Sequence, residues 1–259
     1  MGHIRLKRLP TSRRWNEVVE LLRVGGSIAD LAGATAQAAE MELDRAKGDP
    51  AVGYTIWLLT QLPLAAQSLH FAARLIELGF DPGAGQSALS LVASFSRAVD
   101  RNVGRRTDRT DLGELARQAA AESLSLFVGS GTPSLFGSTA DDVQRELGYL
   151  GTKKCFANLA RDFFARLTLK TIEYYISREL PKHVGPGKAI TSIDDQIAFR
   201  VALKKHCHEA AVIVQEFAGG WFAKNKYQGT LTPATAQNFA DYALKKMLDE
   251  LRARRAADV

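Results

Sequence analysis

The chain is 259 residues long, 46% apolar and 24% charged, with a formal net charge of +6. This composition excludes a disordered polymer, and the length can bury a core without metal or disulfide help, as one large domain or two small ones. The positive charge admits an acidic partner such as nucleic acid, an acidic protein or anionic lipid without requiring one.

The first residues, Met1-Gly2-His3-Ile4-Arg5-Leu6-Lys7-Arg8, are basic but lead into no apolar run. No signal peptide is read there, and a cytoplasmic location is expected. Gly2 would suit myristoylation, but Leu6 stands where Ser or Thr is wanted. After Ser12 the pattern turns helical, with Trp15, Val18, Val19 and Leu22 at three- and four-residue spacing and Gly25-Gly26 as the stop. Ser27-Ile28-Ala29-Asp30 is a capping-box variant that opens an alanine-rich helix to about Lys47. Asp49-Pro50 restarts the chain as N-cap and first helical residue. The stretch from Ala51 to Ala66 is the most apolar, yet shorter than the roughly 20 residues that span a bilayer, so it reads as a buried core helix. Pro63 is expected to kink or split it, because proline removes a donor and crowds the preceding turn.

A helix from Leu69 to Leu78 stops at Gly79, and Asp81-Pro82-Gly83 is a turn. Helices follow over Ser87 to Val103 and Asp111 to Val128, and Gly129-Ser130-Gly131-Thr132-Pro133 is the clearest loop. Thr139-Ala140-Asp141-Asp142 caps a short helix ending near Gly148. From Thr152 to about His183 runs a long helix carrying Phe156, Phe163, Phe164, Tyr174 and Tyr175. It is apolar around most of its circumference and is expected at the centre of the fold. Gly185-Pro186-Gly187 breaks the chain, and Ser192-Ile193-Asp194-Asp195 opens a helix to about Phe217 that Gly219-Gly220 ends. Thr232-Pro233 caps the last helix, to about Arg254.

Sustained alternation of apolar and polar residues, the mark of a strand, is absent, and no fixed-period repeat is found. The expected fold is therefore all-α, a bundle of about nine to ten helices with no sheet. It is read as a single domain over 1–259, with the alternative of two subdomains, 1–128 and 139–259, joined by the loop 129–138.

Few residues propose chemistry. Arg178-Glu179-Leu180-Pro181-Lys182-His183 resembles the signature of the HEPN ribonucleases, which are helical bundles with four to six residues between an Arg and a His. The resemblance implies metal-independent RNA cleavage at a dimer interface, with His183 moving protons and Arg178 holding phosphate. Glu179 departs from the amide, His or Asp that this family usually places after the Arg, and Arg200 with His206 repeats the spacing elsewhere. His206-Cys207-His208 places three metal-ligating types in a row, but neighbours on a helix point about 100° apart and cannot share one ion. Cys207 is read as a buried side chain with His206 and His208 near the surface, and no metal or other cofactor is expected. Cys155 and Cys207 suggest no disulfide framework.

Binding residues are proposed in three places. Arg5, Lys7, Arg8, Arg13 and Arg14 form a basic N-terminal arm beside Trp15, a candidate base-stacking ring. Arg105 and Arg106 belong to a second basic cluster with Arg97, Arg101 and Arg109, and Lys245, Lys246 and Arg252 to Arg255 contribute a third. Trp221, Lys224, Lys226 and Tyr227 follow the glycine pair Gly219-Gly220, where Trp and Tyr are typical interface anchors or, on the plainer reading, plugs of an inter-helix turn. The expectation drawn from these features is a non-enzymatic interaction or adaptor subunit of a bacterial-type intracellular complex. It would bind a protein partner, with basic patches as candidate nucleic-acid contacts and no transmembrane segment. The alternative is a HEPN-like ribonuclease using Arg178 and His183. A third reading is membrane action through the Ala51 to Ala66 helix.

Overall fold

The computed structural model describes residues 13–24, 27–106, 110–129, 139–185 and 190–257. These form twelve α-helices and, among the described residues, no strand; an isolated bridge joins Val184 to Ile190. In chain order they are α1 (Arg13–Val24), α2 (Ile28–Ala38), α3 (Glu40–Ala46), α4 (Pro50–Ala66), α5 (Phe71–Glu77) and α6 (Ala88–Arg106). There follow α7 (Asp111–Gly129), α8 (Ala140–Leu150), α9 (Lys153–Glu179), α10 (Ile193–Ala210), α11 (Val212–Gln228) and α12 (Pro233–Ala257).

Capping chemistry sets the helix starts. The Ser27 hydroxyl accepts from Asp30 N at 3.0 Å, and the Asp49 carboxylate accepts from Ala51 N at 2.8 Å and Val52 N at 3.3 Å. Thr139 with Asp142 and Ser192 with Asp195 are reciprocal capping boxes. Each satisfies amides that the first helical turn leaves without an intrahelical acceptor.

Two helices more than the upper expectation arise from two breaks without glycine or proline. The first, at Ala39, divides the alanine-rich segment into α2, which packs on α1 and α10, and α3, which packs on α12. The second, at Ala211, divides the segment expected to run from Ser192 to Phe217 into α10, against α2 and α9, and α11, against α9 and α12. In both cases each half follows its own neighbours, and the buried alanines at the junction offer no bulk that would hold one straight axis.

Two further expectations are corrected. Of the kink or split expected at Pro63, the split is set aside: α4 continues through it to Ala66. Placed in the last turn, it removes one bond only, and its own carbonyl still accepts from Gln67 N at 3.3 Å. Gly219-Gly220 does not end a helix either. Both glycines lie in the interior of α11, and the stop falls at Gly229, whose φ of 65° is the left-handed cap geometry.

α4 and α9 occupy the interior. Twelve of the 17 residues of α4 are buried, and it is surrounded by α6, α7, α8 and α12. α9 lies between α7 on one side and α10 and α11 on the other. The buried side chains form one contiguous cluster from Trp15 to Leu251, which lies on both sides of the 129–138 segment in sequence. Among the described residues no helix is long and apolar enough to cross a membrane, and α4 is sheathed by its neighbours.

Candidate docking groove

The glycine pair of α11 positions an aromatic concavity. A Cβ at Gly219 would overlap the main-chain carbonyl oxygen of Lys153, so α11 rests directly on the first turn of α9. That approach brings Phe222 onto Phe156, stacked with ring centroids 4.1 Å apart. Gly220, one position on, has no atom within 4 Å of where its Cβ would lie and forms part of the open floor.

Beside it, Glu216, Phe217 and Trp221 of α11 face Asn238, Phe239 and Tyr242 of α12, with Lys153 at one end, around a concavity of about 590 Å³. The rings interlock. Trp221 stacks on Phe239 at 4.1 Å, Phe217 meets Phe239 edge-on at 5.8 Å, and Phe217 meets Tyr242 edge-on at 4.9 Å. Phe239 is buried at the base, Phe217 and Trp221 are half-buried, and Tyr242 is 48% exposed. Lys246 places its ammonium 5.6 Å from the Tyr242 ring centroid, within cation–π range. Lys153 and Glu216 thus line the groove itself, and Lys246 lies against the Tyr242 ring at its edge. Rings held by neighbours on both helices are a rigid apolar surface that loses little side-chain entropy when covered.

Of the residues singled out after the glycine pair, Trp221 alone lines this groove. Lys226 turns the other way, donating to Gln67 Oε1 at 2.8 Å and to the Gly151 carbonyl at 3.4 Å, where it caps the end of α8. Tyr227 is 93% exposed and sits about 240° around the axis from Trp221, and Lys224 is exposed. Because the segment is helix and not turn, these four do not form one patch. Phe217 and Trp221, four apart, and Phe239 and Tyr242, three apart, were visible as same-face aromatic pairs, but their juxtaposition was not.

The N-terminal arm divides. Arg5, Lys7 and Arg8 lie outside the described residues. Trp15 is corrected from a base-stacking candidate to a core residue: it is 1% exposed and packs at 5.9 Å on Tyr175. Arg14 pairs with Glu40 of α3, as does Arg252 of α12, so one carboxylate ties three helices together. Arg13 is exposed on α1. In the second cluster Arg97 Nε and Arg101 Nη1 bind Asp81 at 2.5 and 2.8 Å, while the side chains of Arg105 and Arg106 lie outside the described ones. Hydrogen bonds from Arg101 and then Arg97 hold the Asp81 carboxyl down to about 2.

The Arg178 and His183 side chains also lie outside the described ones. The backbone places Arg178 in the last turn of α9 and His183 in the 3-10 turn that follows it. Cys207 is fully buried, and burial pushes its thiol well up, while His206 and His208 are half-exposed. Among the described residues no group of three or more His, Cys, Asp or Glu could hold a metal ion.

The sequence reading missed a polar seam along α9. Asp162, 8% exposed, accepts from Ser123 Oγ at 2.7 Å and from Arg166 Nε at 2.6 Å, and Arg166 Nη1 and Lys170 Nζ reach Glu122 at 3.0 and 2.6 Å. On the far side Arg161 bonds Gln215 Oε1 at 3.0 Å, and Gln215 bonds Asn158 Oδ1 at 2.7 Å. Burial lowers the His208 imidazole, opposed by the Asp162 charge and aided by Lys204, Arg166 and Arg161. Its Nε2 has no hydrogen-bond partner among the described residues. With Ser123 and Arg166 both committed to Asp162, the seam welds α7 to α9. The four-residue period Asn158, Asp162, Arg166, Lys170 was its legible signal.

Comparison with protein-family models, with curated proteins and with solved structures returns no match.

Proposed function

We propose that this protein is a non-enzymatic interaction subunit that docks a protein partner in the aromatic groove between α11 and α12. The observation that carries the reading is the interlocked set Phe217, Trp221, Phe239 and Tyr242, which surrounds a concavity of about 590 Å³. Interface energy concentrates on such aromatic anchors in pockets. Lys153 in the lining and Lys246 against the Tyr242 ring suit a segment that inserts an apolar or aromatic side chain and follows it with a carboxylate. The engagement of Arg14, Arg97, Arg101 and Arg252 with Glu40, Asp81 and Asp249 favours a protein partner over nucleic acid, because each of those guanidinium groups already holds a carboxylate within the fold.

Gly220→Arg and Tyr242→Ala test the groove with little risk to the fold, since Gly220 borders open space and Tyr242 is half-exposed. Proteins retained by the immobilised chain are identified, purified and titrated against the original and both variants. The expected result is about a tenfold or greater loss of affinity in each variant, with unchanged circular dichroism. Retention of no protein, or equal binding by the original and both variants, sinks the proposal.

A further inference from the structure

α10 carries two apolar faces, and among the described residues only one is covered. Phe199, Leu203, Cys207 and Ala210 are buried, on the side that packs against α2 and α9. Ile193, Ile197 and Val201 recur every fourth residue on another side and are 74%, 56% and 63% exposed. β-branched side chains lose rotamer freedom in a helix and are poorer helix formers than Lys, Glu or Arg, so nothing in helix stability favours them on a solvated stripe. Three in register read as a contact seam.

We propose that this seam pairs with the same seam of a second copy of the chain, antiparallel, about a two-fold axis level with residue 199. The charges at its two ends select both the occupant and the direction. The exposed end near Ile193 carries Asp194, and the other end carries exposed Lys204 and Lys205. Lys205 reaches Glu209 at 3.8 Å, while neither Asp194 nor Lys204 forms an ion pair among the described residues. In the antiparallel pair Ile197 lies level with Val201 of the partner subunit, and Asp194 lies level with Lys204 of the partner subunit, twice over by symmetry. A parallel pair would set Asp194 against its own copy and Lys204 against its own copy, which like-charge repulsion opposes. A uniformly acidic or uniformly basic partner would match one end of the seam and repel the other. The seam covers about 12 Å of helix and belongs to the small class of specific interfaces, so dissociation in the micromolar range is expected. This surface is separate from the aromatic groove, and the proposal stands or falls independently of it.

Sedimentation velocity over about 1 to 300 μM is the test, a range that brackets micromolar self-association. The chain should shift from monomer to dimer. Ile197→Glu should raise the dissociation constant at least about tenfold with an unchanged circular dichroism spectrum, since Ile197 is 56% exposed. Asp194→Lys and Lys204→Asp should each weaken self-association, and mixing the two variants should restore dimer, because the mixture rebuilds opposite charges at both ends. A chain that stays monomeric throughout the range overturns the proposal. So does a dimer insensitive to Ile197→Glu, or a mixture no stronger than either variant alone.

Discussion

Arg161 of α9 donates from Nε and Nη2 to the main-chain carbonyl oxygen of His208 at 3.3 Å. In an unbroken helix that carbonyl would accept from Val212 N. The break at Ala211 frees it, while Ala211 N still reaches Cys207 O at 3.1 Å. A guanidinium from the neighbouring helix thus takes the acceptor that the junction exposes, and its Nη1 bond to Gln215 anchors the start of α11 at the same time. One side chain holds both sides of the α10–α11 corner.

Arg161→Leu is accordingly expected to destabilise the fold by about 1–3 kcal/mol, the range for leaving a partly buried acceptor without its partner. Arg161→Lys should recover part of that loss, because an ammonium cannot reproduce the planar fork. Urea denaturation of the three proteins is the measurement, and equal midpoints for the original and Arg161→Leu would contradict the assignment.

The two adjacent glycines of α11 should respond in opposite directions. Gly219→Ala forces the new methyl group against the Lys153 carbonyl and should destabilise the protein, by about 1–3 kcal/mol for an overpacked contact. Gly220→Ala meets open space in a helical position and should be neutral or stabilising by up to about 1 kcal/mol. Thermal unfolding distinguishes them, and a lower midpoint for Gly220→Ala than for Gly219→Ala would overturn the account.

Acid sensitivity follows from Asp81. Its carboxyl is lowered from 3.8 to about 2 by the hydrogen bonds of Arg101 and Arg97, so the folded state binds its proton less readily than the unfolded chain. That contribution is fully present above about pH 4 and is lost as the pH falls toward 2. Asp142 and Asp195, lowered by their capping-box hydrogen bonds, act in the same direction. Asp81→Asn should therefore be less stable than the original chain at pH 6 and show a shallower further decline between pH 4 and 2. Denaturant midpoints across that interval decide it, and identical slopes would exclude the linkage.

Helix starts were legible wherever the signal was confined to a few neighbouring residues. Ser27, Asp49, Thr139 and Ser192 each accept from an amide two or three residues along, so their identity announces the boundary. The interruptions at Ala39 and Ala211 were not legible, because the groups that accommodate them come from elsewhere. Arg161 lies 47 residues from His208, and the backbone that requires a glycine at 219 belongs to Lys153. Gly219-Gly220 looked like a stop because glycine in a helix interior is unfavourable by itself. Its compensation, the close approach of α9, appears only once the helices are assembled.

The same division separates the candidate surfaces. The apolar period and the caps specified an all-α chain with a buried α4 and an α9 that is apolar nearly all round, since these depend on the spacing of side chains along one helix. Whether an aromatic or a cation faces solvent depends on what packs beside it. Assembly buried Trp15 against Tyr175, occupied Arg14 and Arg252 with Glu40, and turned Lys226 onto Gln67. It left Phe217, Trp221 and Tyr242 converging on one groove and Ile193, Ile197 and Val201 uncovered. Local periodicity encodes which residues share a face, and only the packing of helices distant in sequence determines whether that face is closed.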